Sequence, residues 1–424
     1  MIRMVLLLVM LLSTLASGGG SGRGGGLACP KGFIGGGLTP CIPAYSDFEF
    51  APTSGAGMGS PCTGTMPTGA KGEAMTFARA SSATCLRSST TSISNGDLVV
   101  LGADIPRVMP GGNGTGSLGV FLERGTTNLI QRSEEINNAV WVTAGTITIT
   151  PNYSIDPAQG SSISTAERVQ CAATGIGEYS EVYQTFTGTN AGLTCSGFIR
   201  GTSSSGSIDA CLYAGAWVCS TCAYSPSSWS RCDPYTGSTT AGIQYCIFGN
   251  MTHVNGGIVR PYNDFLLWGV QGENGPLTSY VPTAGATSAR VDDSPLTSTS
   301  TVAIGPSFSM ASTALATSTT TPSSLLVQIG SAAPNIASIT RATDTGLSLL
   351  VNVTTTTPAV ASLGTTSHRY SLQDALGVRT AALDGVAVAA PADSMAATET
   401  VVTIGSATGI VLKQVCIGAP GRCQ

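Results

Sequence analysis

The chain has 424 residues, of which 42% are hydrophobic and 10% are charged, and its net charge at neutral pH is -4. This length and apolar content suffice for more than one folded domain, so a largely disordered chain is excluded. Lysine occurs only as Lys31, Lys71 and Lys413. No basic stripe is available for a phosphate backbone, which excludes nucleic acid as the expected partner.

The first 18 residues have the layout of a secretory signal peptide. Arg3 precedes the apolar run of residues 4–12, and small residues follow the run. The run is shorter than the roughly 18 apolar residues that a membrane span needs, and no later stretch reaches that length. We therefore predict a secreted or cell-surface protein without a membrane span. A lipoprotein anchored through Cys29 is the less favoured alternative, because residues 26–28 match the expected small-residue box poorly.

Thirteen cysteines in an exported chain predict disulfide bonds, and the odd number leaves at least one cysteine outside an intramolecular pair. Cys416 and Cys423 are placed to close a short C-terminal loop. Cys29 and Cys41 are placed to clip the N-terminal segment.

Cys219 and Cys222 have the CxxC spacing that also occurs in redox and zinc sites. Neither a second CxxC pair nor a His-x-x-x-His motif completes a zinc site. Candidate disulfide partners lie in the same region, at positions 171, 195, 211, 232 and 246. We therefore predict that both cysteines form disulfides.

Residues 19–75 are rich in glycine and proline and show little periodicity. We predict a flexible linker followed by an irregular, disulfide-clipped lead-in. The first organised unit begins at Thr76. From there to residue 262, short alternating segments are separated by turn residues, without helical periodicity, which predicts a β-sandwich or barrel.

Residues 263–293 contain the clearest strand of the chain, the last strand of this predicted sandwich. Alternation places two sets of residues on opposite faces: Asp264, Leu266, Trp268 and Val270 on one, and Phe265, Leu267, Gly269 and Gln271 on the other. Both faces are mostly apolar, which predicts a strand covered on both sides. Residues 273–276 end the strand, because Asn-Gly favours positive φ and proline cannot donate to a ladder.

A second series of short strands follows residue 295, where the sequence becomes rich in serine and threonine. Within it, Asp384 and Gly385 lie between apolar residues and predict a β-hairpin. The fold class predicted from these patterns is all-β, with two β-sandwich domains at residues 76–295 and 296–424.

Four segments, taken in order, resemble a family of β-sandwich modules of phage tail-fibre and other virion proteins and of secreted bacterial proteins. They read FARASSAT, IPRV, GVFLERGTTNLIQRSEEINNAVW and NDFLLWGVQGENGPLTSYVPTAGATSARVDD. The resemblance implies a carbohydrate-binding-like jelly roll from Thr76 to Arg290. Val270 and Gly272 depart from the family pattern in the last strand. Residues 368–388 resemble the end of a concanavalin-like or laminin-G-like sandwich.

The same resemblance implies a structural calcium ion, since jelly rolls of this kind often hold one between a carboxylate near the first strand and one near the last. Glu134 and Asp264 occupy the matching places. Carboxylate oxygens are ligands that calcium prefers. The competing interpretation is a pair of solvated charges at strand edges.

A catalytic function lacks the residues that it needs. His253 and His368 are the only histidines, and neither lies beside a nucleophile motif. Glu134 and Glu135 are adjacent, so on an extended segment they point to opposite faces and cannot flank one glycosidic bond. We therefore predict that the chain is not an enzyme. A glycan-active hydrolase is the least favoured hypothesis.

A binding function needs only exposed aromatic side chains, whose flat faces meet the C–H faces of sugar rings, and nearby polar groups. Aromatic residues concentrate between positions 213 and 235. We predict Trp217 and Tyr224, on a loop held by Cys219 and Cys222, as the binding platform. Further candidates for ligand binding are Trp141, Tyr213 and Tyr235. Trp229 and Trp268 have apolar or alternating neighbours and are predicted to be core residues.

These observations predict a secreted, non-catalytic protein that binds glycan or a cell-surface polysaccharide and acts in adhesion. The alternative is a structural appendage or virion-fibre-like protein, whose sandwiches mediate assembly into a homo-oligomer.

Overall fold

The chain is described by a computed structural model. The described residues are 33–34, 42–43, 62, 74–87, 93–95, 97–110, 118–158, 164–173, 175, 177–189, 192–236, 242–252, 260–304, 308–316, 323–331, 336–342, 346–360, 363, 367–375, 378–393, 395, 399–405, 410–418 and 423. The predicted signal peptide and the predicted pairing of Cys29 with Cys41 lie outside them. The chain divides into two compact units, Met1–Ala44 and Tyr45–Gln424.

Every regular element in the described ranges is a β-strand, which confirms the all-β prediction. Across the same ranges, no helix is long and apolar enough to cross a membrane. In the first unit the strands are β1 Phe33–Ile34 and β2 Ile42–Pro43, which form an antiparallel pair. The second unit begins with β3 Met75–Thr76, β4 Ala83–Leu86, β5 Leu98–Leu101, β6 Arg107–Pro110, β7 Leu118–Leu122 and β8 Thr126–Asn128.

Ten consecutive strands form the first sandwich. They are β9 Val142–Ile155, β10 Ser164–Ala173, β11 Tyr179–Gly188, β12 Leu193–Gly201, β13 Gly206–Tyr213, β14 Trp217–Tyr224, β15 Ser230–Cys232, β16 Tyr235–Thr236, β17 Gly242–Met251 and β18 Arg260–Asn274. The order β14-β13-β17-β11-β9 forms one layer, the front sheet, and β9-β10-β18-β12-β15 forms the other, the back sheet.

One long strand, β9, belongs to both layers. Its residues 142–145 pair with β11, and residues 146–155 pair with β10. The strand turns from one sheet to the other at Gly145, where φ is 77°. A Cβ atom there would lie 1.9 Å from the carbonyl oxygen of Tyr179. Only glycine fits this corner, because other residues rarely adopt that φ and have no room for a side chain.

The core of the first sandwich lies between the two sheets. It contains Val182 and Phe186 from the front sheet and Ile199, Phe265 and Leu267 from the back sheet, all buried. Disulfides join the layers: Cys195 of β12 pairs with Cys246 of β17, and Cys222 of β14 pairs with Cys232 of β15. On β11 the inward residues Val182 and Phe186 lie an even number of positions apart, as alternation along a strand requires.

Strand β18 is covered on both faces, as predicted. Phe265 and Leu267 face the core, while Leu266 and Trp268 pack with Phe198 and Trp229 on the outside of the back sheet. One detail of the predicted alternation is wrong. Gly269 has φ of 63° and inserts an extra residue against β12, so Val270 lies in the core between the sheets rather than on the face of Trp268.

Twelve further strands complete the second unit: β19 Ser288–Arg290, β20 Leu296–Ile304, β21 Phe308–Ala316, β22 Ser324–Ile329, β23 Ala337–Arg341, β24 Leu347–Val351, β25 Thr354–Thr356, β26 His368–Ala375, β27 Val378–Leu383, β28 Val386–Val388, β29 Glu399–Ile404 and β30 Ile410–Gly418. Most of them form a second sandwich of two seven-stranded sheets, ordered β25-β24-β23-β22-β29-β20-β3 and β28-β27-β26-β21-β30-β7-β6. The predicted hairpin at Asp384 and Gly385 joins β27 to β28. The predicted disulfide between Cys416 and Cys423 is present.

The strand pairing divides the chain differently from the predicted boundary at residues 295 and 296. Strands β3, β6 and β7 precede the first sandwich in the chain, yet they pair with strands of the second. Val108, Val120 and Leu122 lie in the same core as Leu296 and Phe308. Alternation in a short strand shows that one face of the strand is buried, but it does not show which sheet the strand joins. This pairing is therefore decided by the tertiary structure.

A buried ion network lies where the exit from the first sandwich meets β6 and β7. Arg107 contacts Glu123 at 2.6 Å and also pairs with Asp293. Arg79 donates to Asp293 at 3.1 Å, and Arg290 pairs with Glu123 at 2.6 Å. All five side chains are buried. The four segments that carry the family resemblance therefore converge in space on this network.

Candidate ligand-binding cleft

The outer face of the front sheet carries a row of aromatic residues that begins on β11. This strand alternates, so Tyr179, Glu181 and Tyr183 point outward, while Val182 and Phe186 enter the core. Residues of one strand that are two positions apart share a face. The sequence YSEVY therefore presents two tyrosines and one glutamate together.

Strand register adds three more aromatic side chains from three other strands. Tyr245 of β17 lies directly opposite Tyr213 of β13, which lies opposite Trp217 of β14. Their ring centroids are 5.8 Å apart for Tyr213 and Tyr245, and 5.0 Å apart for Tyr213 and Trp217. Tyr183 joins the row at 5.8 Å from Tyr245. The result is one contiguous aromatic surface across the sheet.

This surface forms a cleft of about 370 Å³, lined by Ala144, Tyr179, Glu181, Tyr183, Tyr213, Trp217, Tyr245 and Ile247. Tyr179 is 47% exposed and Trp217 is 41% exposed. The other tyrosines are half-buried. The cleft size falls in the range of small-molecule sites, and its lining of aromatic residues with few polar groups is typical of them.

Beneath the cleft lies a small apolar cluster of Cys211, Ile247 and Met251, against which Tyr183 and Tyr245 pack. Cys211 is bonded to Cys219 on the neighbouring strand. The bond crosslinks the two strands that carry Tyr213 and Trp217. Such support holds the rings in place, so binding costs little side-chain entropy.

Glu181 is the one polar side chain of the cleft lining that ionises as an acid near neutral pH. It is 9% exposed, and its Oε2 atom has no hydrogen-bond partner among the described residues. Burial raises the pKa of Glu181 to about 7. A buried polar group without a partner costs stability, and such groups are frequent in functional sites.

We expect Glu181→Gln to raise the free energy of unfolding at pH 8. The pKa of the carboxyl group is about 7 in the folded chain and 4.5 ordinarily, so the group binds its proton more tightly when the chain is folded. Its contribution to the free energy of unfolding therefore falls as the pH rises through this range. The gain at pH 8 should be on the order of 1 to 3 kcal/mol. Thermal unfolding at pH 4 and pH 8 measures it. Equal gains at both pH values would show that ionisation of Glu181 is not the cause.

Two of the five predicted ligand-binding residues, Trp217 and Tyr213, meet in this cleft. Sequence reasoning missed Tyr179, Glu181, Tyr183 and Tyr245. The alternation in YSEVY was a usable signal for the outward face of β11, but only the register of β17 shows that Tyr245 joins it.

Tyr224 was predicted as the partner of Trp217, and the structure contradicts this. Residues 217–224 form strand β14 rather than a loop, and seven positions separate the two aromatics, so they point to opposite faces. Tyr224 is 5% exposed, donates to Oδ1 of Asn263 at 2.6 Å and stacks on Phe265. It is a core residue.

Trp141 is also buried rather than available to a ligand, and its Nε1 donates to the carbonyl oxygen of Arg132 at 3.1 Å. The side chain of Tyr235 lies outside the described residues. Trp229 and Trp268 are buried, as predicted. Cys219 and Cys222 both form disulfides, which confirms the interpretation of the CxxC pair.

The pair predicted to hold calcium does not fit a shared ion. Asp264 receives two hydrogen bonds from Arg168, at 2.8 and 2.5 Å, and these lower the pKa of its carboxyl group. Glu134 instead accepts from the hydroxyl of Tyr280 at 2.9 Å. Across the described ranges, no group of three or more His, Cys, Asp or Glu side chains is arranged to hold a metal. Calcium binding by this chain stays a prediction.

His368 contacts the hairpin that contains Asp384. Its Nδ1 lies 2.6 Å from Asp384, and its Nε2 lies 2.7 Å from the carbonyl oxygen of Leu363. His253 lies outside the described residues.

No protein-family model matches the chain, and no curated protein matches it. Among solved structures it is similar to the N-terminal CBM22-1-CBM22-2 tandem domain of Paenibacillus barcinonensis Xyn10C, with 10% identity, 70% of this chain and 98% of that chain covered, and a TM-score of 0.26. It is also similar to domains LG4-5 of the mouse laminin alpha1 chain, with 12% identity and a TM-score of 0.23. The match covers 60% of this chain and 91% of that chain.

The tail fiber protein gp63.1 of an E. coli phage is a third similar structure, with 8% identity, 67% of this chain and 40% of that chain covered, and a TM-score of 0.19. These are the kinds of protein that the sequence resembles.

Proposed function

We propose that the chain is a secreted or cell-surface, non-catalytic protein that binds glycan in the cleft on the front sheet. The observation that carries the proposal is the convergence of five aromatic side chains on one sheet face, around one buried carboxyl group whose Oε2 has no hydrogen-bond partner among the described residues. Aromatic faces pack on the apolar faces of sugar rings, and a carboxylate accepts hydrogen bonds from sugar hydroxyls.

Two further features support this proposal. The platform lies on strands of a disulfide-bonded sandwich rather than on a loop, so the rings are held before the ligand arrives. Disulfides also persist in the extracellular environment where cell-surface glycans are met.

The decisive experiment is Trp217→Ala in an affinity-gel assay against neutral, cationic and anionic polysaccharides. We expect the affinity for the bound polysaccharide to fall by more than about tenfold, or 1.4 kcal/mol. The melting temperature should change little, because the indole is 41% exposed.

Two variants serve as matched controls. Tyr262→Ala removes a 56% exposed aromatic from β18, outside the cleft, and should leave binding unchanged. Trp268→Ala removes a buried indole and should cost roughly 3 to 5 kcal/mol of stability. If Trp217→Ala binds as tightly as the unmodified chain, the cleft is not the site. A chain that binds no polysaccharide and elutes as a homo-oligomer would favour an assembly protein instead.

A further inference from the structure

The charge of the cleft restricts what it can bind. Among its eight described lining residues, Glu181 alone carries a charge near neutral pH, and neither arginine nor lysine is present. The register places Glu181 opposite Gly249 of β17, and Asp209 of β13 lies on the other side of the same glycine. The register therefore places a second carboxyl group on the same face of the sheet, two strands away from Glu181.

The buried carboxyl group of Glu123 shows what Glu181 lacks. Glu123 is held by Arg107 and Arg290, which outweigh the effect of burial and lower its pKa to about 2. Glu167 of β10 resembles Glu181 more closely: burial raises its pKa to about 8 and its Oε2 has no partner among the described residues, but it accepts backbone hydrogen bonds from residues 136 and 137. At Glu181, burial is the cause of the raised pKa, and Oε2 has no hydrogen-bond partner among the described residues.

We propose that the ligand of this cleft presents a positively charged nitrogen, carried by a saccharide, to Glu181 and the surrounding aromatic rings. The inference rests on the proposed glycan-binding function and names its chemical class. A cation between aromatic faces is attracted by the ring quadrupoles, and a desolvated carboxylate adds a charge-assisted contact. Tyr179, Tyr183 and Tyr245 supply those faces beside Glu181. An anionic sugar would be repelled at the same position.

Two sources share this chemistry: the primary ammonium of an amino sugar and the quaternary ammonium of a choline substituent. Four probes separate them in calorimetric titrations of the full chain: glucosamine oligomers, their neutral N-acetylated counterparts, choline chloride, and galacturonate oligomers of the same length. We expect glucosamine oligomers or choline to bind at least about tenfold more tightly than the N-acetylated oligomers, and galacturonate oligomers not to bind.

Choline also tests the role of Glu181, because its charge does not change with pH. The titratable groups on the outer face of the strands beside Glu181 are the cleft tyrosines and Asp209, whose Oδ2 accepts a hydrogen bond from the backbone amide of Met251 at 3.0 Å. We expect choline affinity to rise at least about tenfold between pH 5 and pH 8, as Glu181 ionises. Glu181→Gln should remove this rise while keeping the fold, as judged by circular dichroism and melting temperature.

The outcomes distinguish this inference from the function on which it rests. If the neutral oligomers bind as tightly as the cationic ones, the cationic ligand is overturned and glycan binding stands. If no saccharide binds but choline does, the cationic nitrogen is supported and the glycan is overturned. If none of the four probes binds, both proposals fail.

Discussion

Arg107→Met is expected to lower the free energy of unfolding by roughly 3 to 5 kcal/mol, because it leaves two buried carboxylates short of a cation. Glu123 and Asp293 are both contacted by Arg107, and all three side chains are buried. Arg79 and Arg290 remain, but each reaches only one of the two carboxylates. Denaturant unfolding followed by circular dichroism measures the change.

The matched control is Arg132→Met, which breaks an ion pair with Glu135 at 3.0 Å on the surface. Exposed pairs contribute roughly 0 to 1 kcal/mol. If the two substitutions cost the same, the buried network does not stabilise the junction. The low pKa of Glu123, about 2, adds a pH dependence of known sign: its stabilisation is present above pH 4.5 and is lost as the pH falls toward 2.

Replacing Cys195 and Cys246 together by alanine is expected to cost roughly 4 kcal/mol and to lower the melting temperature by on the order of 10 °C. The bond joins the front and back sheets through the core and closes a loop with a sequence separation of 51. A long loop gains more entropy in the unfolded chain when its crosslink is removed. Differential scanning calorimetry reports the shift directly.

The control is the double alanine variant of Cys416 and Cys423, whose sequence separation is 7. Chain entropy predicts a cost of roughly 2 kcal/mol there. An equal or larger loss at this short loop would contradict loop entropy as the source of the difference. If the variant without Cys416 and Cys423 still binds polysaccharide, binding in the cleft does not depend on this disulfide of the second sandwich.

Sequence alone determined the fold class, because inward and outward residues alternate with period two and turn residues interrupt them. The short segments that it predicted before residue 262 are strands, among them β11 and β12. It also identified Trp229 and Trp268 as core residues from their neighbours. These are local properties, since each depends on residues within a few positions along the chain.

The binding site was determined only in part. Trp217 and Tyr213 were predicted because aromatic residues are concentrated in their part of the sequence. The same criterion selected Tyr224, which lies in the core. Treating residues 219–222 as a loop hid the alternation that separates the two faces of β14. Once the segment is a strand, its odd positions share one face and its even positions the other.

The tertiary structure alone decided which strands are neighbours. The cleft combines side chains from β9, β11, β13, β14 and β17, and no sequence pattern gives the register that brings Tyr245 beside Tyr213. Gly145 turns β9 from one sheet into the other, and strands from residues 75–122 complete the second sandwich. The reason is physical: alternation specifies that one face of a strand is buried, whereas its partner is chosen by the packing of the whole core.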